Sequence, residues 1–241
     1  MKTIAKHVLA RYGSLASLLA AIVALTILSL AGANVFAIEK ECGKKKPTQL
    51  FDGKTFNGWE GDTDKTWRIE NKALVAGSLE KAAPRNEFLA TTKKYQNFDL
   101  QLKFKITGTE RVNAGVQFRT KRIPDHHEVS GYQADIGHGV DGHLYDESRR
   151  RRMLATPEKE TLKKVEESTP ADGWETYRIR AEGDRIRLWR NGIQTVDYVE
   201  KDEKIERTGI IALQIHGGMK AVIAYKDIVI DKLPPSDKQK P

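Results

Sequence analysis

The chain has 241 residues, a formal charge of +8 and a single cysteine. One cysteine excludes an intramolecular disulfide and a four-thiolate zinc site. The basic balance is no nucleic-acid signature: Lys2, Lys6 and Arg11 account for three of the charges, leaving about +5. The runs at 44–46 and 149–152 carry no interleaved aromatics and read as solvated surface.

Those three N-terminal charges, with no acidic residue before Glu39, precede an almost wholly apolar run at 15–30 and then Ala31-Gly32-Ala33. A positive start, an apolar centre and a Val35-Phe36-Ala37 end form the pattern of a secretory signal cleaved after Ala37. An uncleaved anchor is the alternative, since residues 15–36 nearly span a bilayer. Lys40-Glu41 before Cys42 does not fit a lipoprotein. Residues 1–37 are therefore read as a signal peptide, 38–47 as a flexible leader, 48–233 as one domain and 234–241 as a tail. The expected address is periplasmic or secreted, with no nucleic-acid partner and no membrane contact after cleavage. About 200 residues can bury a core without staples.

Strand signals dominate the domain. Phe98, Leu100, Leu102, Phe104 and Ile106 alternate with Asp99, Gln101, Lys103 and Lys105, which predicts a strand with one buried and one wet face. Ala114, Val116 and Phe118 oppose Asn113, Gln117 and Arg119, and residues 131–136 continue as a strand. A charged insertion at 158–167 has weak helix character of one or two turns. Tyr177, Ile179 and Ala181 alternate with Arg178, Arg180 and Glu182. Asn191-Gly192 between 185–190 and 193–199 predicts a two-residue hairpin, because both positions tolerate φ > 0. Ile211, Leu213 and Ile215 oppose Gln214 and His216, and a last strand covers 221–230. Many short strands without alternating helices or repeats point to a sandwich or barrel, of which an all-β sandwich is the expectation.

Three of these strands carry polar pairs at i and i+2, about 7 Å apart along the chain. They are Gln117 with Arg119, Gln133 with Asp135, and Gln214 with His216. On neighbouring strands they would make one patch of amides, a guanidinium, a carboxylate and an imidazole, able to bind several hydroxyls and to move protons. A plain solvated face is the alternative. The glycine-rich stretch 138–147 reads as a loop beside that face. It contains His143, Tyr145, Asp146 and Glu147. A divalent cation could use Asp135, Asp146 and His143, although no dedicated ligand spacing is present and no other cofactor is indicated. His126-His127 reads as solvated. No nucleophile elbow, zinc-protease motif or phosphate loop occurs in the sequence.

An ordered series of blocks then stands out. It begins with Leu50-Phe51-Asp52-Gly53-Lys54-Thr55-Phe56-Asn57-Gly58-Trp59 and Trp67-Arg68-Ile69-Glu70-Asn71. Tyr95-Gln96-Asn97-Phe98-Asp99-Leu100, Asn113-Ala114-Gly115-Val116-Gln117-Phe118-Arg119 and Gly131-Tyr132-Gln133-Ala134-Asp135-Ile136 follow, and 209–216 continues the series. Over about 50–232 the chain resembles the 3-keto-disaccharide hydrolase family, departing at Ala114, where the family commonly has serine. The resemblance implies a concanavalin A-like jelly-roll sandwich, an all-β jelly-roll fold with a sugar on its concave face, and cleavage of a glycoside already oxidised at C3. In that chemistry His216 or Asp135 would be the base, and Arg119 or a bound cation the enolate stabiliser. Gln117, Gln133 and Gln214 would hold hydroxyls, with Tyr145 and Glu147 also meeting the substrate. A non-catalytic carbohydrate-binding module of the same fold is the main alternative, and an interaction domain without a sugar site the second.

Overall fold

The computed structural model describes residues 46–108 and 111–235, so the expected signal peptide, most of the leader and the end of the tail lie outside the described residues. Among the described residues no helix is long and apolar enough to cross a membrane. Two antiparallel sheets face each other. The first runs in the order β13 (Ile193–Val199), β12 (Arg185–Arg190), β11 (Glu175–Glu182), β6 (Phe98–Gly108), β15 (Ala221–Lys232), β4 (Ala73–Ser78) and β3 (Trp67–Glu70). A short β1 (Thr48–Gln49) adds to β15. The second runs β10 (Arg152–Ala155), β9 (Leu144–Glu147), β8 (Val129–Gly137), β7 (Asn113–Arg122), β14 (Ile210–Ile215), β5 (Glu87–Thr91) and β2 (Trp59–Glu60). The C-terminal strands β14 and β15 pair with N-terminal ones, β5 and β4, as a jelly roll requires. The predicted all-β jelly-roll sandwich is what forms.

Period-two patterning sets the core. Phe98, Leu100, Leu102 and Phe104 of β6 meet Ala114, Val116 and Phe118 of β7, Tyr132, Ala134 and Ile136 of β8, and Ile211, Leu213 and Ile215 of β14 in one cluster. The predicted hairpin also forms: Asn191 at φ 48° and Gly192 at φ 82° join β12 to β13. The insertion is more regular than its sequence suggests. It makes a nine-residue helix, α1 (Lys159–Glu167), anchored by buried Val165. Asp99, expected on a wet face, is buried, because Arg178 and Arg180 of the neighbouring β11 close over its carboxylate at 2.5 and 3.4 Å. Strands β1 to β5 were not read from periodicity; at two to six residues each they are too short to show a period.

One buried cation ties the two sheets together. Arg190, fully buried at the end of β12, reaches Asp141 Oδ1 at 2.6 Å and Glu175 Oε2 at 2.7 Å. Its guanidinium lies 4.5 Å from the Phe104 ring centre and 5.1 Å from that of Tyr177. Asp141 Oδ1 also accepts from Gly137 N at 2.9 Å, so this cation fixes the loop that leaves β8. Replacing Arg190 with Met nearly keeps the volume and removes the cation that both carboxylates share. Urea unfolding at pH 7 should show a loss of about 3–5 kcal/mol, whereas a loss under 1 kcal/mol would remove Arg190 from this role.

Candidate functional site

Residues of β7, β8, β9 and β14 that do not enter the core point to the outer face of the second sheet. The register places Gln117 opposite Gln133 and Gly115 opposite Asp135. Ala212 and Gln214 of β14 lie beside Gln117 and Gly115, and Tyr145 of β9 lies beside Gln133. The result is a grid of polar groups on one face. It is not a solvated face: Gln117, Gln133, Gln214 and Asp135 are all 4% exposed or less.

Their hydrogen bonds run in one direction. Gln117 Nε2 donates to Gln133 Oε1, and Gln133 Nε2 donates to Asp135 Oδ1. Gly115 permits this. A Cβ there would sit 2.9 Å from Cγ and Cδ of Gln133, so only a glycine lets that side chain lie flat between its partners. Burial raises the Asp135 carboxyl to about 7, and neighbouring Glu147 and Asp141 add to the shift while the Gln133 hydrogen bond opposes it. Burial also raises Glu147; Glu128 reinforces this, while the Ser148 hydrogen bonds and His216 counteract it.

A roof reaches over part of this face. The turn between β7 and β8 brings Glu128 to Asn86, whose Nδ2 donates to Glu128 Oε1 at 2.9 Å. Asn86 Oδ1 in turn accepts from Gly217 N at 2.9 Å, tying the roof to the residue after His216. Val129 packs with Phe88, Ala90, Ile210 and Ala212 in a small apolar cluster on the same face. Asn86 and Glu128 gave no signal in the sequence, since the turn's path is set by tertiary contacts. His127, expected to be solvated, lies 3.5 Å from Glu128 and stacks on His126.

Several buried polar atoms here find no partner among the described residues. They include both amide atoms of Gln214, Gln117 Oε1, Glu128 Oε2, Asn113 Oδ1 and both ring nitrogens of His143. Buried polar groups are nearly always hydrogen-bonded. Such a concentration suits a ligand rich in hydroxyls and carbonyls.

Not every expected residue joins. Arg119 does not share a face with Gln117. Its φ of 46° and the register shift after Phe118 break the alternation. Its nitrogens are committed to Gln96 O, Gly183 O and Asn97 Oδ1 at 2.8–3.1 Å. Asp146 is corrected too. It alternates with Tyr145 and Glu147, so it faces the interior, where Arg149 and Arg150 bind it. Asp135 and Asp146 thus occupy opposite faces, and the trio of Asp135, Asp146 and His143 does not fit a metal site. No group of three or more His, Cys, Asp or Glu among the described residues is placed to hold a metal ion. His216 does lie at this face, half-buried, with Nδ1 2.7 Å from Gly217 O. A separate cleft of about 580 Å3, lined by Lys65, Arg68, Lys81 and Arg85, contains none of these groups. Its arginines already pair with Glu70 and Glu87, which leaves it little specific chemistry.

With this geometry in view, comparison with known proteins is informative. Residues 46–231 match the family described as 3-keto-alpha-glucoside-1,2-lyase-like domain. A proposed glycosyl hydrolase from Parabacteroides distasonis superposes with a TM-score of 0.57 at 19% identity, covering 78% of this chain and 94% of that one. The carbohydrate binding module CBM66 from Bacillus subtilis gives 0.54 at 15% identity, covering 73% and 96%. At these identities the likeness is one of fold. Comparison with curated proteins returns no match.

A carboxyl held near 7 in the folded chain, against about 3.9 when unfolded, costs stability that grows as pH rises between those values. Asp135→Asn keeps the acceptor for Gln133 and removes the charge. At pH 8 thermal and urea unfolding should show the variant more stable by roughly 2–4 kcal/mol, converging with the wild type near pH 4. A variant less stable at pH 8 would contradict the burial of the charge.

Proposed function

Since the chain belongs to the 3-keto-alpha-glucoside-1,2-lyase-like family, we propose that it is an exported enzyme cleaving 3-keto-glycosides, 3-keto-disaccharides among them, by elimination and hydration. The ketone at C3 acidifies the proton on C2. Removing that proton lets the electron pair form C1=C2 while the C1–O bond breaks, and the departing oxygen takes up a proton. Water added across the double bond makes the net reaction a hydrolysis. This route needs a base, a donor for the developing enolate and an acid for the leaving oxygen, and no pair of carboxylates flanking the glycosidic bond.

One observation carries the reading: the one-way amide relay that ends on Asp135. It holds Oδ1 and leaves Oδ2 without a hydrogen bond from the described residues. Its pKa near 7 suits a base working near neutrality. Glu147, raised by burial on the same face, suits the acid, with Tyr145 beside it. Gln214 supplies free amide donors and acceptors for hydroxyls. His216 sits near Glu147, where it lowers that carboxyl against the rise from burial, and the base role goes to Asp135. The signal-like residues 1–37 support an extracytoplasmic address.

A binding module would suit an aromatic platform on this face. Trp59 and Trp67 are buried in the core, and Trp189 belongs to the first sheet, where Arg178 covers it. Trp174 lies just before β11 of that same sheet, under Lys226.

The mature protein should turn over 3-keto-trehalose or 3-keto-glucosides, with kcat/KM falling as pH drops below about 7. Asp135→Asn should lower kcat at least about 1,000-fold, which is a base's share of the rate together with its charge. Sugar binding without turnover by the wild type would favour the module, and full activity in Asp135→Asn would overturn the assignment.

A further inference from the structure

With Arg119 committed elsewhere, the enolate donor must come from another residue, and the unpartnered atoms on the face point to it. β8 and β9 are joined through a bulge. Gly142 N donates to Asp135 O, while Asp135 N donates to His143 O, both at 3.1 Å. Two residues of one strand thus oppose Asp135, and Gly142 takes the left-handed position at φ 72°. Leu144 enters the core, so alternation returns His143 to the outer face, next to Asp135 across the strands. His143 is 8% exposed, and neither ring nitrogen has a partner among the described residues. A buried histidine with both nitrogens unmet is costly. This one is also built in: the bulge depends on Gly142, where a Cβ would come within 2.8 Å of Thr195, and the loop before it is pinned by Arg190 through Asp141.

We propose that His143 is a catalytic residue that, as a neutral imidazole, donates a hydrogen bond to the C3 oxygen of the keto-sugar while Asp135 removes the proton from C2. This rests on the reading of the site given above. The substrate geometry fits the strand geometry. C2–H and C3=O are adjacent, and cross-strand neighbours hold their Cβ atoms about 4.5–5.5 Å apart, so a base and a donor side by side meet both groups at once. Burial lowers the His143 pKa, with Asp141 opposing, which keeps the ring neutral and able to donate without placing a fixed cation beside Asp135. A neutral imidazole matches a developing enolate and does not quench the neighbouring base. Tyr177, whose hydroxyl donates to Asp135 O at 3.1 Å, holds the opposite strand in place from the core side.

The test uses the mature protein with a 3-keto-glucoside and, separately, 1,5-anhydro-3-keto-glucitol, which has no aglycone and reports only deuterium uptake at C2. His143→Phe should lower both turnover and uptake by about 100- to 1,000-fold, the cost of losing one oxyanion donor, with KM changed less than threefold. His143→Gln, which keeps a neutral N–H, should recover at least tenfold of either loss. Should His143→Phe fail to fold, the Gln variant decides: activity within about 100-fold of wild type supports the donor role, and a greater loss overturns it. If His143→Phe folds and stays within threefold of wild type while Asp135→Asn is inactive, the proposal fails and the function stands. A wild type inert towards both sugars overturns the two together.

Discussion

A carboxyl group buried on the outer face of a sheet needs something to hold it, and here that is the hydrogen bond from Gln133 to Asp135. The bond exists because Gln133 is held in turn by Gln117, and because Gly115 leaves a space over which the amide can lie. A chain of amides oriented the same way polarises along its length, so the far end at Gln117 supports the acceptor at Asp135. The same arrangement keeps water from stabilising the charge, and this is what places the carboxyl near neutrality. Position, protonation and the free second oxygen all follow from one strand register.

That register is secured at a distance. The sandwich core fixes which residues of β7, β8 and β14 face outward. The buried Arg190, through Asp141, fixes the loop that returns β9 alongside β8. A buried ion pair is a poor source of net stability. Its use here is positional: it sets where the bulge at Gly142 falls, and therefore which side chain sits next to Asp135. The roof is secured in the same manner, since Asn86 bridges Glu128 and Gly217 and so couples the β7–β8 turn to the end of β14.

Much of this was legible in the sequence, and the misses have physical causes. Alternation alone predicted the core faces of β6, β7, β11 and β14 and set the glutamines and Asp135 on one face of their own strands, while the adjacency of those strands comes from the register. Alternation failed at Arg119, where a non-glycine residue takes a left-handed conformation that nothing in its neighbours announces. The expectation for Asp146 fails for the opposite reason. Leu144 marks the inward-facing parity of β9, which the ligand-rich composition of 138–147 masks. Asn86 and Glu128 meet across 42 positions of sequence, beyond the reach of any local pattern. His143 became interpretable only once the bulge restored it to the face of Asp135.

The central claim is that the relay and its burial hold the Asp135 carboxyl ready to accept a proton near neutral pH. Its direct test is carboxyl 13C NMR titration of the mature protein, with Asp135 assigned by comparison with the Asn variant. The account predicts a midpoint near 7. A midpoint near 4, the ordinary value for an aspartate, would contradict it.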